Sequence, residues 1–257
     1  MGFFDSHSHL NDERFDEDRI SVIDNLKKEG ITRFITNGYD LEGSKKAIEI
    51  AENCDFTYAT AGISPNDIPQ NEDELWKQID EIRIIAKNPK VVAIGEIGLD
   101  YYWNKDNREL QLEVFKKQID IANELDLPVV IHTREAVMDT LQIVKENPVK
   151  NKGVFHCCPL NRELVKEALK LDFYISFSGV VTFKNSKNAD EIISMVPMDK
   201  ILIETDSPYL APEPVRGTRN TPANVKFVAA KVANVKGIEI DEIAKTTFEN
   251  ASRLFKL

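Results

Sequence analysis

Cysteine is scarce in this 257-residue chain: Cys54, Cys157 and Cys158 are the only three, and no C-x-x-C pair occurs. That excludes a disulfide scaffold and suits a reducing compartment. No apolar run approaches the ~20 residues that span a bilayer, so no membrane partner is expected. The N-terminus lacks a basic region ahead of an apolar stretch and enters a strand pattern almost at once. A cleaved leader is therefore not expected, and the cytoplasm is the expected location. No G-x-G-x-x-G follows any strand pattern, and Gly95-Glu96-Ile97-Gly98 does not fit that fingerprint, which argues against a doubly wound dinucleotide-binding sheet. Linkers, low-complexity stretches and internal repeats are also missing, so one domain over 1–257 is expected, with no obligate protein partner evident.

Positive charge is short as well. Lys and Arg number 33 against 43 Asp and Glu, a net charge of −10. Proteins that track along duplex nucleic acid usually carry a basic footprint, because phosphate neutralisation drives their affinity. A nucleic-acid substrate would here have to be gripped locally, by metal ions and a few arginines, at an end or on a single strand.

What is present is an alternation of short apolar runs with amphipathic helical patterns. The runs fall at 2–9, 32–37, 57–62, 91–99, 129–133, 153–156, 174–178 and 200–205. They are nearly continuous in hydrophobicity, as parallel strands covered by helices are. Helical patterns fill the gaps at 20–30, 41–53, 72–88, 108–126, 135–147, 162–171 and 189–196, and two more, 221–236 and 240–257, close the chain. Eight strands alternating with helices over this length predict an α/β fold, a TIM-type (β/α)8 barrel.

Only four histidines occur, and each ends a strand pattern: His7 and His9 in FFDSHSH, His132 in PVVIHTR, His156 in GVFHCC. Glu96 in VVAIGEIGLDYYW and Asp206 in KILIETDSPYLAP end two others. Side chains alternate across a strand, so each of these groups is expected at the last inward position, on the rim where barrel enzymes keep their chemistry. Imidazole and carboxylate are ligands for divalent ions such as zinc, nickel and manganese. One ion seldom needs six protein ligands; six suggest two ions sharing a carboxylate. Barrel hydrolases often bridge with a modified lysine, but Lys90 lies at the opposite end of the fourth strand, which leaves Glu96 as the candidate bridge. Asp5, on the same parity as His7, is expected to accept a ring N–H from a ligating histidine. Glu204, if buried, needs a ligand histidine or an arginine. Cys158 shares the parity of His156 and is expected to pack beside the site.

In order along the chain, DSHSHL, GEIGLDYYW, VIHTREA, VFHCC and ETDSPYLAP followed by RGTRNTPANV resemble the motifs of the TatD family of metal-dependent hydrolases. The resemblance implies a binuclear centre in which His7, His9, Glu96 and Asp206 hold one ion and Glu96, His132 and His156 the other. It further implies two divalent ions per chain (Mg, Mn, Zn, Ni or Co) and magnesium- or manganese-dependent DNase activity, often 3′→5′ on single strands. On that reading a metal-activated water cleaves a DNA phosphodiester, with Glu96 and Asp206 catalytic and Asp206 accepting the proton. Arg134, Arg216 and Arg219 are candidate phosphate contacts, and Tyr101, Tyr102 and Trp103 either stack a base or cap the barrel. The family usually has histidine before proline after the third strand; Gly62-Ile63-Ser64-Pro65 departs from that, and Ser64 supplies no imidazole. The same site would also suit an ester or amide, as in an aminoacyl-tRNA deacylase or a small-molecule amidohydrolase.

Overall fold

In the computed structural model, which describes residues 2–257, eight parallel strands form one sheet in sequential order. They are β1 (Phe3–Ser8), β2 (Ile31–Asn37), β3 (Thr57–Ala61), β4 (Val91–Asp100), β5 (Val129–Arg134), β6 (Gly153–Phe155), β7 (Tyr174–Phe177) and β8 (Ile201–Ile203). Helices α1 (Arg19–Leu26), α2 (Leu41–Glu52), α3 (Glu72–Ile85), α4 (Arg108–Leu125), α5 (Val137–Glu146), α6 (Arg162–Lys170) and α7 (Ala189–Met195) connect them. Two further helices, α8 (Val225–Lys236) and α9 (Ile240–Leu254), follow β8. This is the expected TIM-type (β/α)8 fold.

Local chemistry sets several of the boundaries. Asn71 and Asn161 cap α3 and α6 by accepting the N–H groups of Glu74 and Leu164 at 3.0 and 2.9 Å, each cap contributing about 1 kcal/mol. Helix α8 stops at Gly237, whose φ of 68° is left-handed. Two apolar layers result. Leu, Ile, Val and Phe side chains between sheet and helices make the larger one. A smaller cluster fills the barrel interior with Phe4, Ile35, Val92, Val130, Val154 and Leu202, sealed by Ala251, Leu254 and Phe255 at the end of α9. Phe4 meets Phe248 of α9 edge-on at 5.5 Å. All of these interior positions but Ile35 lie early in their strands, so the N-terminal end of the barrel is plugged and the C-terminal end is left for polar groups.

The barrel closes without a full ladder between β8 and β1. Asp206 N donates to His7 O at 2.9 Å, His9 N to Ser207 O at 2.7 Å, and a parallel bridge pairs Ser8 with Ser207.

Strict alternation does not describe two of the strands that carry the expected ligands. Phe4 packs in the interior cluster, so counting by twos would turn His7 away from it; the β1–β2 register slips between Asp5 and Ser8. On β4, Val92 packs inside but Ile94 packs with the helices, and the β4–β5 register slips between Ile94 and Ile97. Alternation therefore does not carry an inward face from Val92 through Ile94 to Glu96, and the expectation that Glu96 faces inward by simple alternation is corrected. Bulges of this kind re-aim side chains at barrel rims. His9, His156 and Asp206 also lie just beyond the ends of their strands, not on the last strand residue.

Candidate metal centre

Glu96 stands at the middle of the polar rim. Its Oε2 lies 3.3 Å from His7 Nε2 and 3.5 Å from His9 Nε2. Asp206 Oδ1 completes this group at 3.6 and 3.3 Å from the same two nitrogens, which are 3.1 Å apart. The other oxygen, Oε1, faces His132 Nδ1 at 2.8 Å and His156 Nε2 at 3.2 Å, with those nitrogens 3.3 Å apart. Six side chains from β1, β4 and β5 and from the ends of β1, β6 and β8 thus gather into three overlapping groups, His7/His9/Glu96, His7/His156/Asp206 and Glu96/His132/His156, two of which share the Glu96 carboxylate.

These spacings fit divalent cations. With bonds of about 2.1 Å, neighbouring ligand atoms sit about 3.0–3.4 Å apart around an octahedral or tetrahedral ion. Facing lone pairs at such distances are unfavourable unless a proton or a cation lies between them, and a cation satisfies a whole set at once. The groups around Oε2 and Oε1 each offer three donor atoms, with Asp206 Oδ1 beside the first, leaving positions open for water or substrate.

Outer hydrogen bonds orient the rings of His9 and His132, while Nδ1 of His7 and of His156 is buried without one. His9 Nδ1 donates to the Asn37 carbonyl at 3.0 Å. His156 Nδ1 lies 3.4 Å from Glu204 Oε1, which also accepts the Cys157 N–H at 2.7 Å. Glu204 is fully buried; the Cys157 N–H is its hydrogen-bond donor, His156 approaches without a hydrogen bond, and its Oε2 has no partner among the described residues. His132 Nε2 meets Asp100 Oδ2 at 3.0 Å. Asp100 was not anticipated, although it stands four residues beyond Glu96 in GEIGLD and could have been flagged as another acid on that strand. Its Oδ2 also accepts from Asn66 at 3.1 Å, while Oδ1 accepts the N–H groups of Tyr102 and Trp103 at 2.9 and 3.1 Å.

The expectation for Asp5 is corrected. Its carboxylate takes the Thr205 N–H and hydroxyl at 2.9 and 2.6 Å and contacts His7 only through the backbone N–H. The bulge after Asp5 separates it from the rings, and it braces the β8 end instead. Arg219 is also elsewhere: both its terminal nitrogens pair with Asp18, so that carboxylate occupies the fork a phosphate would need. Arg216 lies over the Phe183 ring at 3.8 Å and Arg134 over Tyr102 at 3.8 Å, and neither pairs with a carboxylate among the described residues. Ser64 gives its hydroxyl to Asp67 at 2.5 Å and touches none of the six donors. Cys158 packs in the helix-side core, where burial pushes its thiol up to about 12.

Gly98 lets β4 and β5 approach this closely. It pairs with His132, its φ is +143°, and a Cβ there would overlap the His132 carbonyl oxygen.

Burial opposes charge on every ring, but neighbouring acids decide the direction at three of the four. His132 is raised to about 9 because Asp100 and Glu96 outweigh its burial. His156 is raised well above the usual range by Glu96 and Glu204, and His9 is raised by Asp206. His7 falls, through burial and the stacked His156 ring 4.0 Å away. Burial alone would raise Glu96, but His156, His132 and His7 hold it well below the usual carboxylate range. Coordination needs neutral imidazole, so a metal must displace protons here. With His132 protonated between its usual pKa of about 6.5 and about 9, metal binding near pH 7.5 is expected to release at least one proton. Calorimetric titration in buffers of different ionisation enthalpy reads that number directly; a value of zero would contradict it.

An eight-stranded parallel barrel with a shared-carboxylate donor set at its C-terminal mouth is the architecture of a metal-dependent hydrolase. The chain belongs to the TatD related DNase family, whose model matches residues 4–256. It is 44% identical over 257 residues, 99% of each chain, to YabD of Bacillus subtilis, named as an uncharacterized metal-dependent hydrolase. YcfH of Escherichia coli, named in the same way, is 38% identical over 261 residues, covering 100% of this chain and 97% of its own. The crystal structure of YjjV, a TatD homologue from Escherichia coli, superposes with a TM-score of 0.93 at 25% identity over 99% of this chain and 98% of that one. No helix among the described residues is long and apolar enough to cross a membrane.

Proposed function

We propose that the protein is a cytoplasmic deoxyribonuclease of one domain that hydrolyses DNA phosphodiester bonds at a single strand or an end. His7, His9, Glu96 and Asp206 would hold one divalent ion and Glu96, His132 and His156 a second. The observation that carries this reading is Glu96, with one oxygen turned to each donor set. Family membership supports the DNA substrate. Divalent ions held there would lower the pKa of a bound water and stabilise charge on the phosphate.

The chain's own residues do the rest. Asp206 directs Oδ1 at His7 and His9 while 15% of its side chain stays open to the mouth. It is the group best placed to take the proton of the attacking water and return it to the departing oxygen. Its carboxyl would be raised by burial, but His9 and His7 hold it low, so it is ionised and able to accept. Asp100 keeps His132 aimed inward. Arg134 and Arg216 are the arginines available for phosphate at this end.

A second reading rests on the net charge of −10, which favours a small ester or amide over a long polyanion. Purified protein loaded in turn with magnesium, manganese, cobalt and zinc separates the two on labelled single-stranded and duplex oligonucleotides assayed beside ester and amide substrates. Metal-dependent cleavage of the single strand is expected. Turnover of an ester or amide with no oligonucleotide cleaved would overturn the nuclease reading.

A further inference from the structure

Beyond the metal centre, the turn after β4 carries two adjacent exposed large aromatics: Trp103 is 67% exposed and Tyr102 47%. Tyr101, by contrast, is committed to the fold, its hydroxyl donating to Asp139 at 2.6 Å. The Tyr102 and Trp103 rings meet edge-on at 4.8 Å, and the Arg134 guanidinium lies 3.8 Å from the first ring centre and 5.4 Å from the second.

Two observations tie this group to the centre. Arg134 sits two residues past His132 on β5 and pairs across the sheet with Asp100, so it lies about 7 Å further along the strand. Asp100 holds His132 with one oxygen and the N–H groups of Tyr102 and Trp103 with the other. One buried carboxylate thus fixes both the ring of a donor histidine and the turn that presents the aromatics. Charge selects the occupant. Arg14, Arg19, Arg83, Arg108, Arg162 and Arg219 each pair with a carboxylate, whereas Arg134, like Arg33, Arg216 and Arg253, does not, and of these four Arg134 is the one on the strand that carries a donor histidine. In a chain of net charge −10, an unpaired guanidinium on exposed rings beside an anion-handling centre calls for an anion that also carries a flat ring.

We infer that Tyr102, Trp103 and Arg134 form a nucleotide subsite: the Trp103 face stacks one unpaired base while Arg134 contacts the adjoining phosphate. The inference rests on the nuclease reading and sharpens it, since a base can reach that face only after leaving its duplex partner. The subsite therefore selects single-stranded substrate despite the acidic surface. Stacking on an aromatic is sequence-tolerant and is lost on substitution by alanine.

The test uses the metal-loaded enzyme and a single-stranded oligonucleotide. Trp103→Ala is expected to raise KM about tenfold or more with the smaller part of the effect in kcat, Trp103→Phe to recover most of it, and Arg134→Ala to flatten the salt dependence of KM. Replacing individual bases by abasic residues should reveal one position whose removal costs the wild type the same factor and costs Trp103→Ala nothing further. Trp103 is exposed, so its loss should leave the thermal transition in place, and that is checked by circular dichroism. An unchanged KM in Trp103→Ala, or a change only in oligomeric state by sedimentation, would overturn the subsite and leave the nuclease reading standing. A wild type that cleaves no oligonucleotide would instead remove the reading on which the subsite depends.

Discussion

Replacing Glu96 by alanine is expected to empty both donor sets and to lower turnover on the order of 10³-fold or more, the scale seen when a principal transition-state electrostatic group is lost. Each oxygen of this carboxylate serves a different set, so one substitution removes a charged donor from both. What remains is four histidines and an acid on unequal terms: His7, His9 and Asp206 on one side, and only His132 and His156 on the other. Two neutral imidazoles hold a divalent ion poorly, so that side should be lost first as metal is withdrawn. Elemental analysis after gel filtration, with turnover measured on the same sample, checks both statements. Full retention of metal and activity would remove the basis of the whole assignment.

The second large effect is expected from Asp100→Asn. This acid touches only one ring, His132, so the ion held with His156 should bind about 10–100-fold more weakly, while the His7/His9 set stays filled. Removing the charge also lets the His132 pKa fall from its value of about 9. Proton competition in the wild type fades as pH rises through that value, whereas the variant is free of it earlier. The affinity deficit is therefore expected to widen from pH 6 to pH 9. Titration of the weaker-bound equivalent at those two pH values measures it, and a deficit shared equally by both sets would contradict the assignment of Asp100 to His132.

These two residues show how far a sequence can be read. Glu96 was legible because it ends an apolar run in the same way as the four histidines, and the barrel followed from the strand–helix alternation. The counting that led there was only partly sound. Parity assumes an unbroken pleat, and both β1 and β4 slip register just before the residues that matter. His7 and Glu96 face the centre through those bulges, and Asp5, counted to the same face as His7, does not. Asp100 stayed hidden because its role depends on the partner strand: only the pairing of Gly98 with His132 brings the acid beside the ring. Arg219 looked free because Asp18, its partner, lies far away in the chain.

The seam between the first strand and the last has one more implication. The hydrogen bonds that zip the cylinder shut there come from the very residues that offer donors, since Asp206 N binds His7 O and Ser207 O receives His9 N. Nascent or clipped polypeptide lacking the final fifty-odd positions can neither seal the wall nor assemble the four-donor cluster. On the proposed reading, assembly of that cluster therefore waits until synthesis has passed Asp206.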